Sequence, residues 1–338
     1  RIPDVPAETR PLLETGGAIL GIAFLVKAGM WPLNFWLPTA YAAAAAPVAA
    51  IFAILSKVGV YVLMRLAPLF FGAGAGESAG LGDWALIVGG IATIVYGAIG
   101  VLSSQALGRL AGFSVLVSSG TLLAAIGLAE ASITAGALYY MATSTLALGA
   151  FFMLVELVDR AQDPAAAVLS VTLEAYGDDG ADTAAVEEEV GVTIPGTIAA
   201  LGICFAVSGL LLAGLPPLSG FVAKFALLSA TIANPTGEPG WVIWTLVAVI
   251  IGSGLFAMVS LLRAGIRAFW APIEGVVPRV LVVEFAPVAI LLTLCGCMAV
   301  FAGPLMRYAE ETAAYLHAPA VYISDVLETP RKGMDGTP

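Results

Sequence analysis

The chain has 338 residues, of which 60% are hydrophobic and 11% are charged, whereas soluble domains average about 25% charged residues. An apolar excess of this size excludes a disordered chain and argues strongly against a water-soluble one. The net charge of −10 argues against a nucleic-acid partner, and a single histidine excludes a multi-histidine metal site.

Eight apolar runs are long enough to cross a membrane, because a hydrocarbon core about 30 Å thick needs roughly 20 helical residues. The sequence therefore predicts an all-α membrane protein with about eight transmembrane helices. The sixth run is too long for one straight crossing and continues to Asn234. In chain order the runs are 12–38, 41–64, Trp84–Gly108, Leu110–Ala129, Ala131–Val155, Gly191–Ala223, Pro239–Leu262 and Phe285–Met306.

The first run is interrupted near its end by the segment Ala28-Gly-Met-Trp-Pro-Leu-Asn34, which Lys27 directly precedes. Pro32 removes a backbone hydrogen bond and kinks or opens the helix. Opened backbone at membrane depth persists only where it is buried in protein or lines a water-filled cavity. This segment therefore predicts a broken helix.

The second run places Lys57 far from either end of its span. The next three spans contain hydroxyl side chains that can conduct protons together with water, although a helix-packing contact is the alternative for each of them. The candidates for a polar path are Ser118, Ser119, Tyr140, Thr143 and Ser144.

A polar connection follows at 159–190, with seven acids between Glu174 and Glu189 and no basic residue after Arg160. A flexible solvated loop is the ordinary interpretation, and a cation-attracting vestibule or a partner tether is the functional one.

Eight spans put both chain ends on one face, and the other face has an excess of arginine. The positive-inside rule then places the arginine-rich loops and the acidic loop in the cytoplasm and the C-terminus outside. The arginines are Arg109, Arg160, Arg263, Arg267 and Arg279.

The segment Ala213-Gly-Leu-Pro-Pro-Leu-Ser219 repeats the first break 185 residues later, and Pro216 and Pro217 predict a second broken helix. Lys224 follows it at membrane depth. Transporters with repeated halves place paired discontinuous helices around the ion path. The alternative is that the two segments are similar by coincidence, since the sequence is rich in glycine and proline. The presence of a lysine near each break weakens this alternative.

Three of the four lysines therefore lie in apolar runs, where an ammonium costs at least about 2.5–3.5 kcal/mol. Removal from water disfavours the charged form, so Lys27, Lys57 and Lys224 can hold or release a proton near neutral pH. These three lysines together predict a proton relay. The alternative is a lysine neutralised by a buried acid, for which Glu156 and Glu284 near span ends are the candidates.

The chain begins at Arg1 without a methionine or a signal-like segment, which suggests a fragment or a processed product. The repeat divides the sequence into the end of a first repeat, a second repeat that includes the acidic loop and the second broken helix, a last span and a polar tail. The tail is expected to lie along the membrane surface or to be largely disordered. These parts are 1–70, 83–270 (with the broken helix at 192–234), 281–307 and 308–338.

The lysine segments resemble the antiporter-like proton-pumping subunits shared by respiratory complex I and the Mrp-type multisubunit Na⁺/H⁺ antiporters. The segments are Lys27-Ala-Gly-Met-Trp-Pro-Leu-Asn-Phe-Trp-Leu-Pro38, Ser56-Lys-Val-Gly-Val-Tyr61 and Gly214-Leu-Pro-Pro-Leu-Ser-Gly-Phe-Val-Ala-Lys224. The acidic loop and the run Arg109-Leu-Ala-Gly-Phe-Ser114 are more similar to the D-type subunits of Mrp antiporters than to complex I subunits.

The resemblance implies the C-terminal two-thirds of a fourteen-span inverted-repeat fold in the bacterial inner membrane. It implies a relay in which Lys27 pairs with a glutamate upstream of Arg1, Lys57 follows and Lys224 is terminal. Other subunits of a hetero-oligomeric complex would be the partners, and H⁺ and Na⁺ or K⁺ the ions. Complex I relatives have a lysine about where Leu148 stands, which favours the Mrp type and leaves hydroxyl groups and water to bridge the gap.

The expected function is a subunit of a monovalent cation/proton antiporter. The sequence has no redox or hydrolytic motif, so we expect a transporter rather than an enzyme, with no cofactor and no metal site. Two alternatives stay open: a proton-pumping subunit of an NADH-quinone oxidoreductase-type complex, and a membrane scaffold that transports nothing.

Overall fold

A computed structural model describes residues 8–161, 196–233, 238–269 and 282–318. Within these ranges the chain is helical and has no β-strand, as the apolar runs predict. A short 3₁₀ turn at Ala73–Ser78 joins the third and fourth α-helices. The helices are α1 (Arg10–Ala28), α2 (Leu37–Ala43), α3 (Ala46–Phe71), α4 (Asp83–Ser103), α5 (Leu107–Gly127), α6 (Ala131–Ala161), α7 (Gly196–Ala213), α8 (Ser219–Ala233), α9 (Gly240–Phe269), α10 (Val282–Val300) and α11 (Ala302–Leu316).

Seven of these helices are long and apolar enough to cross a membrane, namely α1, α3, α4, α5, α6, α9 and α10. The shorter apolar helices α7 and α8 follow one another across the second proline segment. With α7 and α8 counted together as one crossing, the described helices make eight crossings, which agrees with the all-α membrane fold predicted from hydropathy.

Helix α6 lies at the centre of the described bundle and packs against α3, α5, α7, α8, α10 and α11. Small residues allow this close packing, since Gly136 of α6 sits directly against the backbone of Leu227 in α8. Helices α4 and α5 approach equally closely, and a Cβ at Gly90 would lie 2.5 Å from the Ala124 nitrogen. The polar side chains of α5 and α6 are therefore held in fixed positions inside the bundle.

The outer faces of the bundle are apolar, as a membrane-embedded surface requires. Large side chains on α1, α3, α9 and α10 are exposed, among them Ile22, Ile51, Trp244 and Ile290. In the membrane, lipid or neighbouring subunits would cover these side chains.

The start of the predicted polar tail is helical. Residues 308–316 lie in α11, whose Ala309, Ala313 and Leu316 are buried. Their spacing of four and three residues places them on one helix face, which packs against α6. The rest of the predicted tail, most of the acidic loop and Arg279 lie outside the described residues.

Candidate functional site

The first proline segment interrupts the helical backbone between α1 and α2. Gly29 has a left-handed conformation with φ of 76°, which glycine adopts without steric cost, and the Met30 N–H donates to the Leu25 carbonyl at 3.0 Å. The bond between Trp31 and Pro32 is cis. The Trp31 N–H donates to Thr93 Oγ1 at 2.8 Å, which ties the segment to α4.

The second segment has the same backbone 185 residues later. Gly214 has φ of 78°, and the bond between Pro216 and Pro217 is cis. The Leu215 N–H donates to the Leu210 carbonyl at 3.0 Å. The glycine, the hydrogen bond and the cis proline correspond one for one, so the sequence repeat is also a repeat of backbone geometry.

Lys57 lies inside the bundle, where its side chain is 3% exposed. Its ammonium donates to Ser118 Oγ at 2.6 Å and lies 3.4 Å from Ser119 Oγ. Both serines belong to α5 and were among the candidates for a polar path. Among the described residues, this ammonium is therefore solvated by hydroxyl oxygens and not by a carboxylate.

A polar line continues from Ser118 to α6. Ser118 and Tyr140 line a small cavity with Lys224. Its volume of about 30 Å³ is enough for one or two water molecules. Thr143, Ser144 and Leu148 also line this cavity.

Lys224 lies next to the backbone that the second break opens. Its ammonium donates to the carbonyls of Ala213 at 2.9 Å and Leu212 at 3.3 Å. These carbonyls belong to the last turn of α7, where a helix has unpaired acceptors and the negative end of its dipole. The protein thus stabilises this cation with helix-terminal carbonyls.

Lys27 is not part of this polar line. Its side chain is exposed, and its Cβ and Cγ lie against Gly59 of α3. Across the described ranges, no hydrogen bond or ion pair involves its ammonium. The structure therefore joins Lys57 to the cavity of Lys224 and leaves the third predicted relay lysine apart.

The two acids near span ends do not neutralise these lysines. Arg160 donates to Glu284 at 2.8 Å and lies 3.7 Å from Glu156. Glu156 Oε2 also accepts the Ala46 N–H at 3.0 Å, at the amino end of α3. These contacts link α3, α6 and α10 at one end of the bundle.

Tyr41 and Ser56 form a buried pair that the sequence analysis missed. The Tyr41 hydroxyl lies 2.5 Å from Ser56 Oγ, and it donates to the Phe52 carbonyl at 2.5 Å. Tyr41 also lines an open cavity of about 540 Å³, together with Glu156 and Asp159. The position of Ser56 beside Lys57 was a usable signal, but nothing in the local sequence of Tyr41 indicates the pairing.

Comparison with known proteins gives a family match over most of the chain. The family described as "NADH:quinone oxidoreductase/Mrp antiporter, TM" matches residues 9–256. The chain is 58% identical over 329 residues to the D subunit of a probable K⁺/H⁺ antiporter of Rhizobium meliloti (strain 1021), covering 96% of this chain and 61% of that protein. It is 28% identical over 337 residues to the D subunit of a Na⁺/H⁺ antiporter of Alkalihalophilus pseudofirmus, with 96% and 61% covered.

The fold is similar to that of a solved complex. A chain in the structure of the Mrp complex from Dietzia sp. DQ12-45-1b superposes with a TM-score of 0.71 at 19% identity, covering 93% of this chain and 61% of that one. The present chain thus spans about three fifths of the length of these relatives.

Proposed function

The chain belongs to the NADH:quinone oxidoreductase/Mrp antiporter transmembrane family, and from this we propose that it is a subunit of a multisubunit monovalent cation/proton antiporter. Protons would move between Lys57 and Lys224, and K⁺ or Na⁺ would move in the opposite direction through the complex. The named relatives are antiporter subunits of this type. The other subunits of such a complex would be its partners.

The observation behind this proposal is the polar line between Lys57, which is buried, and Lys224, which is half-buried. Lys57 donates to Ser118, and Ser118, Tyr140 and Lys224 line one water-sized cavity. Hydroxyl groups accept and donate hydrogen bonds, so a proton can pass from Lys57 through them and water to Lys224. Because both ammonium groups are positive, a proton on one disfavours a proton on the other.

The position of Leu148 supports an antiporter over a redox-driven pump. Leu148 is fully buried and lines the cavity that Ser118 and Lys224 share, where complex I relatives are expected to have a further lysine. In this chain water and hydroxyl groups would bridge that part of the route. Lys27, paired with a carboxylate outside the described residues, would be one entry for protons towards Lys57, outside the line that joins Lys57 to the cavity of Lys224.

The proposed membrane is the bacterial inner membrane, with the arginine-rich end in the cytoplasm and the C-terminus outside. The structure describes four of the five arginines that are predicted to face the cytoplasm. Arg263 and Arg267 donate to the carbonyls of Leu102 and Gln105 at the end of α4, and Arg160 is paired with Glu284. Labelling of single cysteines introduced at Arg267 and at Glu310 from either side of the membrane would test this orientation.

The test of the function is proton flux driven by a K⁺ or Na⁺ gradient in vesicles that contain the whole complex. We expect Lys57→Met to abolish the flux, since the substitution keeps the side-chain length and removes the ammonium. Ser119→Ala removes only the longer 3.4 Å contact of Lys57 and serves as the comparison, with a flux that should fall only slightly. Normal flux in a fully assembled Lys57→Met complex would refute the relay and favour a scaffold role.

A proton-pumping subunit of an NADH-quinone oxidoreductase-type complex is the second candidate, because the family description includes such proteins. Purification of the complex from its native membrane distinguishes the two. Co-purification of small hydrophobic subunits without flavin or iron–sulfur proteins supports the antiporter. Co-purification of redox subunits supports the second candidate.

A further inference from the structure

The carbonyl end of α7 is already a binding site for one positive charge. The Leu210 carbonyl accepts the backbone N–H groups of Gly214 and Leu215. Two further carbonyls at this end, those of Leu212 and Ala213, accept the Lys224 ammonium. If Lys224 lost its proton and its amine turned away, the Leu212 and Ala213 oxygens would lose this partner. They would then be free acceptors at the negative end of a helix dipole.

Oxygen atoms of this kind are the ligands of alkali cations in membrane proteins. Rings of backbone carbonyls replace the hydration shell of K⁺ in channels, and the carboxyl ends of half-helices coordinate Na⁺ in transporters. The Lys224 ammonium shows that the Leu212 and Ala213 oxygens converge closely enough to hold one monovalent cation.

Free space and the hydroxyl of Ser253 lie next to these carbonyls, and the unpartnered hydroxyl of Ser219 follows them in the chain. Ser253 of α9 lines the same cavity as Leu212 and Lys224, and it donates its hydrogen to the Ile250 carbonyl at 2.7 Å, which leaves its lone pairs available. Ser219 is fully buried, and its hydroxyl has no partner among the described residues. Ser219 precedes Gly220, whose backbone lies against the Leu211 carbonyl.

The charges around the cavity allow one cation at a time. No carboxylate is among its lining residues in the described part of the chain. The titratable groups that face it are Lys224 of α8 and Tyr140 of α6, with Lys57 of α3 behind Ser118; Cys295 of α10 packs beside Leu211. A second positive charge beside the protonated Lys224 would be repelled without compensation.

We propose that the Leu212 and Ala213 carbonyls form a monovalent-cation site, occupied alternately by the Lys224 ammonium and by a K⁺ or Na⁺ ion. The inference rests on the proposed antiporter function and adds the place where the two ions exchange. When Lys224 releases its proton towards the cavity, one cation takes its place on the carbonyls. One H⁺ leaves for each cation that enters, so the charge at the site does not change.

Binding of radiolabelled rubidium, used as a potassium probe, to the purified complex tests this exchange, with radiolabelled sodium in parallel. In the pH range where Lys224 is mostly protonated, we expect the apparent rubidium Kd to rise about tenfold for each unit by which the pH is lowered, because one proton competes with one cation. Lys224→Met should retain binding and remove this pH dependence, since no ammonium competes for the carbonyls. A pH dependence that persists in Lys224→Met overturns the inference.

Two glycines of α9 provide a matched pair of variants. A Cβ at Gly254 would lie 2.5 Å from the Ala213 oxygen and 3.4 Å from Lys224 Nζ, whereas a Cβ at Gly252 meets nothing within 4 Å. We expect Gly254→Ala to weaken rubidium binding by about tenfold or more, equivalent to about 1.4 kcal/mol, and Gly252→Ala to leave it unchanged. Equal binding in the two assembled variants contradicts the proposal. If Gly254→Ala does not assemble, the pH profile of Lys224→Met decides.

Cation-driven proton flux in vesicles made from the same preparations distinguishes a failure of the proposed cation site from a failure of the proposed antiporter function. Normal flux, together with rubidium binding that is independent of Lys224 and Gly254, would place the cation site elsewhere and leave the antiporter function standing. Absence of flux in the unsubstituted complex would instead contradict the proposed function itself.

Discussion

The two helix breaks have the same backbone and different electrostatics. Gly29 and Gly214 both end a helix in the left-handed conformation, and a cis proline follows each of them. Lys27 precedes the first break and has no polar partner among the described residues, whereas Lys224 follows the second and donates to two carbonyls. Identical chain geometry therefore accompanies an isolated ammonium at one break and a solvated one at the other.

The direction of side chains on a helix explains the difference. Each Cα–Cβ bond points towards the amino end of its helix. The side chain of Lys224 in α8 therefore points back towards the break and the carboxyl end of α7, while that of Lys27 points away from the break that follows it. Thr39 occupies the position in the first half that corresponds to Lys224, 185 residues earlier. A lysine binds the opened carbonyls when it follows the break.

The largest effect on flux is expected when each of these two lysines is removed in turn. We expect Lys224→Met to lower cation-driven proton flux by about 100-fold or more, the scale of a lost proton-transfer group. Lys27→Met should lower it by less than about tenfold, because the line from Lys57 to Lys224 stays complete. Dye-monitored flux in vesicles with equal amounts of complex measures both. Equal losses would show that the position of a lysine relative to its break is unimportant.

The next test concerns the hydroxyl groups that solvate Lys57. A hydrogen bond to a charged group contributes about 1.5–3 kcal/mol. Ser118→Ala removes the 2.6 Å bond, and Ser119→Ala removes only the 3.4 Å contact. We expect flux to fall about tenfold or more in the first variant and only slightly in the second. The reverse order would mean that protons reach Lys57 by way of Ser119.

A third pair of substitutions compares the two break glycines. A left-handed conformation costs other residues roughly 1–2 kcal/mol, so Gly29→Ala and Gly214→Ala should destabilise the protein by similar amounts. A Cβ at Gly214 would lie 2.6 Å from the Lys224 side chain, whereas one at Gly29 would lie 2.7 Å from Leu37. At equal loss of thermal stability, flux should therefore fall more in Gly214→Ala. Parallel flux losses would argue against a special role of the second break.

The smallest effect is expected far from both breaks, at His317. Burial lowers the pKa of His317 and the charge of Glu130 opposes the shift; its Nε2 lies 2.9 Å from Thr134 Oγ1. The unfolded chain, with a histidine pKa of about 6.5, binds the proton more readily than the folded one. The contribution of His317 to the free energy of unfolding is therefore fully present when the pH is above this pKa of the unfolded chain, and it decreases as the pH falls below it.

We expect His317→Gln to reduce the acid-induced fall in the thermal unfolding midpoint between about pH 7 and pH 5. The flux ratio of the Lys27→Met and Lys224→Met complexes should not change, because His317 contacts neither break. A changed ratio would connect this end of the bundle to the breaks.

Local sequence was enough to predict the crossings and the two breaks. Hydropathy determines which helices enter a membrane, and the left-handed conformation at Gly29 and Gly214 depends on the absence of a side chain there. The contact of Lys57 with Ser118 joins residues 61 positions apart, so the sequence identified both residues as candidates but did not predict that they touch. It did not predict that Glu156 binds the amino end of α3, or that α11 packs on α6, because both depend on how helices pack.

The contact between Glu156 and the amino end of α3 has a mechanical consequence. Arg160, one turn further along α6, binds Glu284 of α10, so charged groups connect α10 to the helix that bears Lys57. A sideways displacement of α10 would pull on α3 through this linkage, and a neighbouring protein that packs on the outer surface of α10 could thereby shift Lys57 relative to Ser118 without touching either residue.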